Sequence, residues 1–119
     1  MLLMSASNLR SESQPDAASR RVLARFPQLT LALVFGSVAR GTPRPDSDLD
    51  IAVASRAGAL TADEHWDIID ALAQETGRPV DLIDLHVASP PVLSEIVRHG
   101  RRVWGGDTAY GSLISRNLF

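Results

Sequence analysis

The chain has 119 residues, 45% of them apolar and 22% charged, a balance that fits one globular domain with a modest core. Its formal net charge of −2 leaves no broad basic field for duplex nucleic acid or an anionic membrane. There is no cysteine and no lysine, all twelve basic side chains being arginine. This excludes disulfides, thiolate metal sites, cysteine nucleophiles, Schiff bases and a Walker-type phosphate lysine.

The apolar opening run Met1–Met4 lacks a basic flank and a long apolar stretch, and no segment approaches the ~18 apolar residues of a membrane span, so a cytoplasmic location is expected. Residues 5–16 are polar and Ser-rich and read as a flexible lead-in, with the domain expected over 17–119. From Ala17 to Phe26, the four-residue spacing of Ala18, Val22 and Phe26 predicts a short amphipathic helix that Pro27 ends. The run LTLALVF, residues 29–35, is almost wholly apolar and predicts a buried strand, broken by Gly36-Ser37. The segment to Asp48 is turn-rich, with one helical turn expected near Ser37–Arg40.

Residues 48–54 predict a second strand, with Asp48, Asp50 and Ala52 on one face and Leu49, Ile51 and Val53 on the other. Thr61 and Glu64 form a capping-box pattern ahead of a helix that carries Trp66, Ile69, Leu72 and Ala73 on one stripe and stops near Gly77. Residues 79–86 predict a third strand. Ser89-Pro90-Pro91 opens a helix through Val92, Leu93, Ile96 and Val97, with Gly100 as its stop. Arg101–Trp104 reads as a short fourth strand. Asp107 caps a last helix with Tyr110, Leu113, Ile114 and Leu118 inward. The expected fold is α/β (α+β): a mixed sheet of three to four strands with helices packed on it.

Chemistry concentrates in three places. Asp48 and Asp50 share a strand face and stand roughly 6–7 Å apart at Cα, where two ionised carboxylates repel unless a cation lies between them. Mg²⁺ suits such a pair, because it takes one or two carboxylates together with substrate phosphates. A solvated strand end is the simpler explanation of the Asp-x-Asp pair taken alone. Gly36-Ser37 follows a buried strand, where glycine admits a phosphate close to the backbone and the serine adds a donor. Asp81 lies in an apolar strand, where a lone carboxylate is costly unless it is metal-bound or paired, for example with Arg78. Asp84, three positions on, faces the other side, so at most one of the two joins the Asp48/Asp50 cluster.

The run GSVARGTPRPDSDLDIAV, with RPVDLIDL beyond a helix, resembles the minimal nucleotidyltransferase family of the DNA polymerase beta superfamily. More closely, it is similar to the antitoxin half of prokaryotic HEPN–MNT toxin–antitoxin pairs. The resemblance covers roughly residues 20–118. It implies a nucleotidyltransferase fold in which Gly36 and Ser37 hold the β/γ-phosphates of ATP. It also implies that Asp48 and Asp50 ligate Mg²⁺, and that Asp81 completes the site for a second metal ion and helps activate the acceptor. Arg40 and Arg44 are candidates for neutralising phosphate charge. With no further domain to hold an acceptor, the resemblance implies a partner that supplies it: a HEPN ribonuclease toxin, silenced by AMP transfer to one of its tyrosines. A catalytically idle antitoxin that acts by binding alone, and a small-molecule nucleotidyltransferase of the aminoglycoside type, are the alternatives. Neither a membrane nor direct nucleic-acid contact is expected.

Other features read more simply. GSVARG lacks the Lys-Ser/Thr of a P-loop. His65, His86 and His99 lie on separate elements without ligand spacing, and His99 suits a helix C-terminus. Trp66 is expected in the core, Tyr110 in packing, and Arg101-Arg102 as either a small RNA or partner contact or a solvated strand start.

Overall fold

In the computed structural model, residues 14–39 and 47–117 are described. Arg40 and Arg44 therefore lie outside the described residues, as does Leu118.

Helix α1 runs over Gln14–Leu23 and is followed by strand β1, Leu29–Phe35. It begins three residues ahead of the expected Ala17 and takes in Asp16, which is buried. Pro15 suits a first helical turn, where its missing N–H is not needed. A one-turn helix, α2, Gly36–Ala39, follows β1 directly. Strand β2 spans Leu49–Ser55, helix α3 Ala62–Thr76 and strand β3 Val80–Asp84. Helix α4, Pro90–His99, strand β4, Arg101–Gly105, and helix α5, Asp107–Asn117, complete the order.

The four strands form one mixed sheet in the order β3-β2-β1-β4. β1 is antiparallel to both β2 and β4, whereas β2 and β3 are parallel and joined through α3. Parallel neighbours need a long crossover, and α3 supplies it. Its start is fixed by the capping box: the Thr61 hydroxyl accepts from the Glu64 N–H and the Glu64 carboxylate accepts from the Thr61 N–H. The Thr61 N–H, and after it the Thr61 hydroxyl, hold the Glu64 carboxyl below its ordinary value of 4.5. Gly77 ends the helix in the left-handed region at φ 70°, donating to the Ala73 carbonyl.

Each face of the sheet carries its own core. On one, Ala32, Val34, Leu49, Ile51, Val53 and Leu82 meet Val22 and Leu23 of α1 and Ile68 and Leu72 of α3. On the other, Leu31, Leu33 and Ala52 meet Ile96 of α4 and Leu113 of α5. The period-two pattern of β2 thus buries Ile51 and Val53 on the first face and turns Asp50, Ala52 and Ala54 to the second.

One core assignment is corrected. Trp66 is 63% exposed, and the buried residues of α3 are Ile68 and Leu72. Two positions on a helix differ by about 200° at 3.6 residues per turn, so Trp66 stands almost opposite Ile68. The edge of its ring meets His65 at the surface. In α5, Leu113 is buried, while Tyr110 and Ile114 are half-buried.

Candidate functional site

Strand register brings the acidic residues together. Asp50 in β2 is the direct partner of Asp81 in β3 and, on its other side, of Phe35 in β1. Residues in register across a parallel pair point to the same face and stand about 4.8 Å apart. Asp50 is half-buried and Asp81 exposed. Asp48 lies one residue ahead of β2, two before Asp50, and is exposed. The approach to the strand is tied down from β3's side: the Leu49 N–H donates to the Pro79 carbonyl at 2.8 Å, and Arg78 Nη1 donates to the Ser47 carbonyl at 3.1 Å.

The same register sets Asp81 and Asp84 apart. Asp84 pairs with Val53, whose side chain lies in the opposite core, and it is only 6% exposed. Its carboxylate accepts from the Leu60 N–H at 2.8 Å and the His86 N–H at 2.9 Å. Asp84 therefore organises the loops around the end of β3 and stands away from Asp50. The two carboxylates are three positions apart, so an alternating strand must send them to opposite faces.

Gly36 opens α2 where β1 ends, at φ 70°, and it packs against Asp50 so closely that a Cβ there would meet Asp50 Oδ2 at 2.1 Å. Glycine is required here twice over, by the backbone angle and by the neighbouring carboxylate. Ser37 follows it in the turn and is half-buried. Val38 enters the core, which fixes the rotation of the turn.

Asp50, Asp81, Gly36 and Ser37 thus share one corner of the sheet. Among the described residues, no group of three acidic or imidazole side chains is gathered tightly enough to hold a metal ion alone. An adjacent carboxylate pair still suits Mg²⁺, which completes its octahedron with water and substrate phosphate oxygens. Asp50 and Asp81 form such a pair.

Other side chains fall elsewhere. His86 is exposed, with Nε2 2.9 Å from the Ser55 carbonyl. It lines a cavity of about 460 Å³ together with Thr30, Ala54, Leu93 and Arg116. Asp50 and Ala54 are four residues apart along β2, about 13 Å, so this cavity lies at the other end of the face from the acidic pair. His99 sits exposed in the last turn of α4, 4.0 Å from Glu95. Arg102 lies over the Tyr110 ring at 4.7 Å and pairs with Asp107. Arg101 binds Asp16 and the Ala39 carbonyl, so neither arginine is merely a solvated strand start. The sequence offers no local signal for the Arg101–Asp16 contact, because the two residues are 85 positions apart.

A four-stranded mixed sheet with helices on both faces, and an acidic pair facing a Gly-Ser turn, define the nucleotidyltransferase fold. The Polymerase beta nucleotidyltransferase family model matches residues 19–109, and the chain belongs to that family. It is 38% identical over 80 residues to the protein adenylyltransferase MntA of Shewanella oneidensis, covering 67% of this chain. The chain spans 57% of that relative's length. Among solved structures, it is similar to a toxin–antitoxin crystallised with AMP-PNP, at 30% identity and a TM-score of 0.78, covering 87% of this chain and 83% of the other. A complex of a tri-AMPylated HEPN toxin with its MNT antitoxin from Shewanella oneidensis is similar at 25% identity and a TM-score of 0.69, covering 87% and 83%.

Proposed function

We propose that this chain is the antitoxin of a HEPN–MNT pair and transfers AMP from ATP to a tyrosine of its HEPN partner, silencing it. The observation that carries the reading is the cross-strand pairing of Asp50 with Asp81 beside Gly36. Family membership, the curated adenylyltransferase relative and the AMPylated toxin of a similar complex support it.

In this reading, the backbone N–H groups around Gly36 and Ser37 and the Ser37 hydroxyl hold the β/γ-phosphates. Asp48, Asp50 and Asp81 hold Mg²⁺, with two ions expected, and Arg40, next in sequence after Ala39, adds positive charge. Mg²⁺, when bound, offsets the charge of the phosphates and of the leaving pyrophosphate. The exposed Asp81 carboxylate stands on the solvent side of the pair, where it accepts the proton of the incoming tyrosine hydroxyl. That oxygen forms a bond to the α-phosphorus as the bond to pyrophosphate breaks, and the proton passes from Asp81 to water. The exposure of Asp81 leaves the acceptor side to the partner, consistent with a protein substrate.

Co-expression with a candidate HEPN partner, followed by mass spectrometry of that partner, tests the proposal. Adenylate is expected on a tyrosine with the wild-type chain and absent with Asp50→Asn. An unmodified partner that is nonetheless neutralised would favour action by binding alone.

A further inference from the structure

We infer that Arg101, oriented by Asp16, is a positioning residue that sets the Gly36–Ser37 turn for the triphosphate; this rests on the reading proposed above. Arg101 in β4 pairs with Val34 near the end of β1. Its Nε and Nη2 each donate at 3.0 Å to the two oxygens of Asp16, and its Nη1 donates to the Ala39 carbonyl at 3.2 Å. Asp16 is 5% exposed, so the carboxylate is withdrawn from water and the fork–fork geometry fixes the guanidinium plane.

Ala39 is the last residue of α2, which has only four residues. A helix this short does not persist on its own, and its final carbonyls have no partner within it. The fold must therefore hold the turn from outside. Asp50 bounds it at Gly36, Val38 anchors it in the core, and Arg101 grips its far end. Three contacts on four residues fix both the position and the tilt of the N–H groups that meet phosphate. The Arg101 contact is the only one of the three that is polar and reaches the C-terminal carbonyl. It also joins α1 and β4 to the turn, which explains why a buried aspartate occupies the first turn of α1.

Arg20 supplies the control. Its Nε donates to the Val103 carbonyl at 3.0 Å, so it also ties α1 to β4. Arg101→Ala, Arg101→Lys, Asp16→Asn and Arg20→Ala would be compared with the wild-type chain by MgATP calorimetry, by transfer kinetics with the partner and by thermal melting. Arg101→Ala should weaken MgATP binding roughly ten- to hundredfold, the range for removing a group that orients a first contact. KM for ATP should rise accordingly, with partner affinity unchanged. Arg101→Lys should remain impaired, because lysine keeps the charge but not the fork. Asp16→Asn should weaken binding in the same direction, and it serves as the second variant if Arg101→Ala does not fold. Arg20→Ala should lower thermal stability and leave MgATP affinity at the wild-type value. Equal MgATP affinity in folded Arg101→Ala and wild type, or equal losses in Arg101→Ala and Arg20→Ala, would overturn the inference and leave the proposed function standing. A wild-type chain that takes up no MgATP would overturn both.

Discussion

Replacing Gly36 by alanine places a methyl group where the structure has room for none. The new Cβ would stand 2.1 Å from Asp50 Oδ2 and 3.0 Å from its Cγ, and the backbone would be held at φ 70°. A side chain in the left-handed region costs about 1–2 kcal/mol. Forcing a methyl into filled space costs about 1–3 kcal/mol more. The expected loss of stability is thus about 2–5 kcal/mol, at the low end if Asp50 swings aside. Gly77 provides the matched control, because it has the same φ of 70° with nothing within 4 Å of its would-be Cβ. Gly77→Ala should cost only the conformational part, about 1–2 kcal/mol. Urea unfolding of both variants gives the difference between them, and MgATP calorimetry reads the displaced carboxylate. Gly36→Ala should fall below Gly77→Ala in stability or lose MgATP binding, because the clash must appear in one place or the other. If Gly36→Ala matched Gly77→Ala in stability and the wild type in MgATP affinity, the close packing of Gly36 on Asp50 would be wrong.

Three further outcomes follow from contacts away from that corner. Asp84→Ala leaves the Leu60 and His86 N–H groups without their acceptor and should cost about 1–3 kcal/mol in urea unfolding, with MgATP affinity kept in the folded protein. The Glu64 carboxyl is held below 4.5 by the Thr61 backbone and hydroxyl. Its contribution to stability is therefore fully present above 4.5 and is lost as pH falls through its lower folded value. Urea midpoints followed into acid should show this decline, and Glu64→Gln should flatten it. Trp66→Ala removes an exposed ring and should change the unfolding free energy by no more than about 0.5 kcal/mol, whereas Ile68→Ala on the buried side should cost about 2–5 kcal/mol.

Elements that announce themselves over a short stretch of chain were legible in the sequence. LTLALVF is a strand because a nearly continuous apolar run of seven residues ends at a glycine, and α3 begins just after Thr61 because Glu64 stands three positions beyond that cap. The facing of Asp50 away from Ile51 and Val53 was readable from alternation, whereas Asp48 lies one residue ahead of the strand. The opposite facing of Asp81 and Asp84 followed from their odd spacing, but which of them meets Asp50 depends on strand order and register. Those are settled by pairing between chain segments about thirty residues apart. Trp66 misled because several stripes can be drawn on one amphipathic helix, and only the neighbours decide which is covered. Asp16 read as part of a polar lead-in, since its partner Arg101 lies at the far end of the chain. Contacts of that kind leave no local pattern, yet they hold the turn on which the proposed chemistry depends.

The most direct test titrates MgATP into the wild-type chain and into Asp50→Asn, Asp81→Asn and Asp84→Asn by calorimetry, each confirmed folded by its melting curve. The account predicts Mg²⁺-dependent uptake by the wild type and by Asp84→Asn, and its loss in Asp50→Asn and Asp81→Asn. Uptake retained in Asp81→Asn and lost in a folded Asp84→Asn would contradict it.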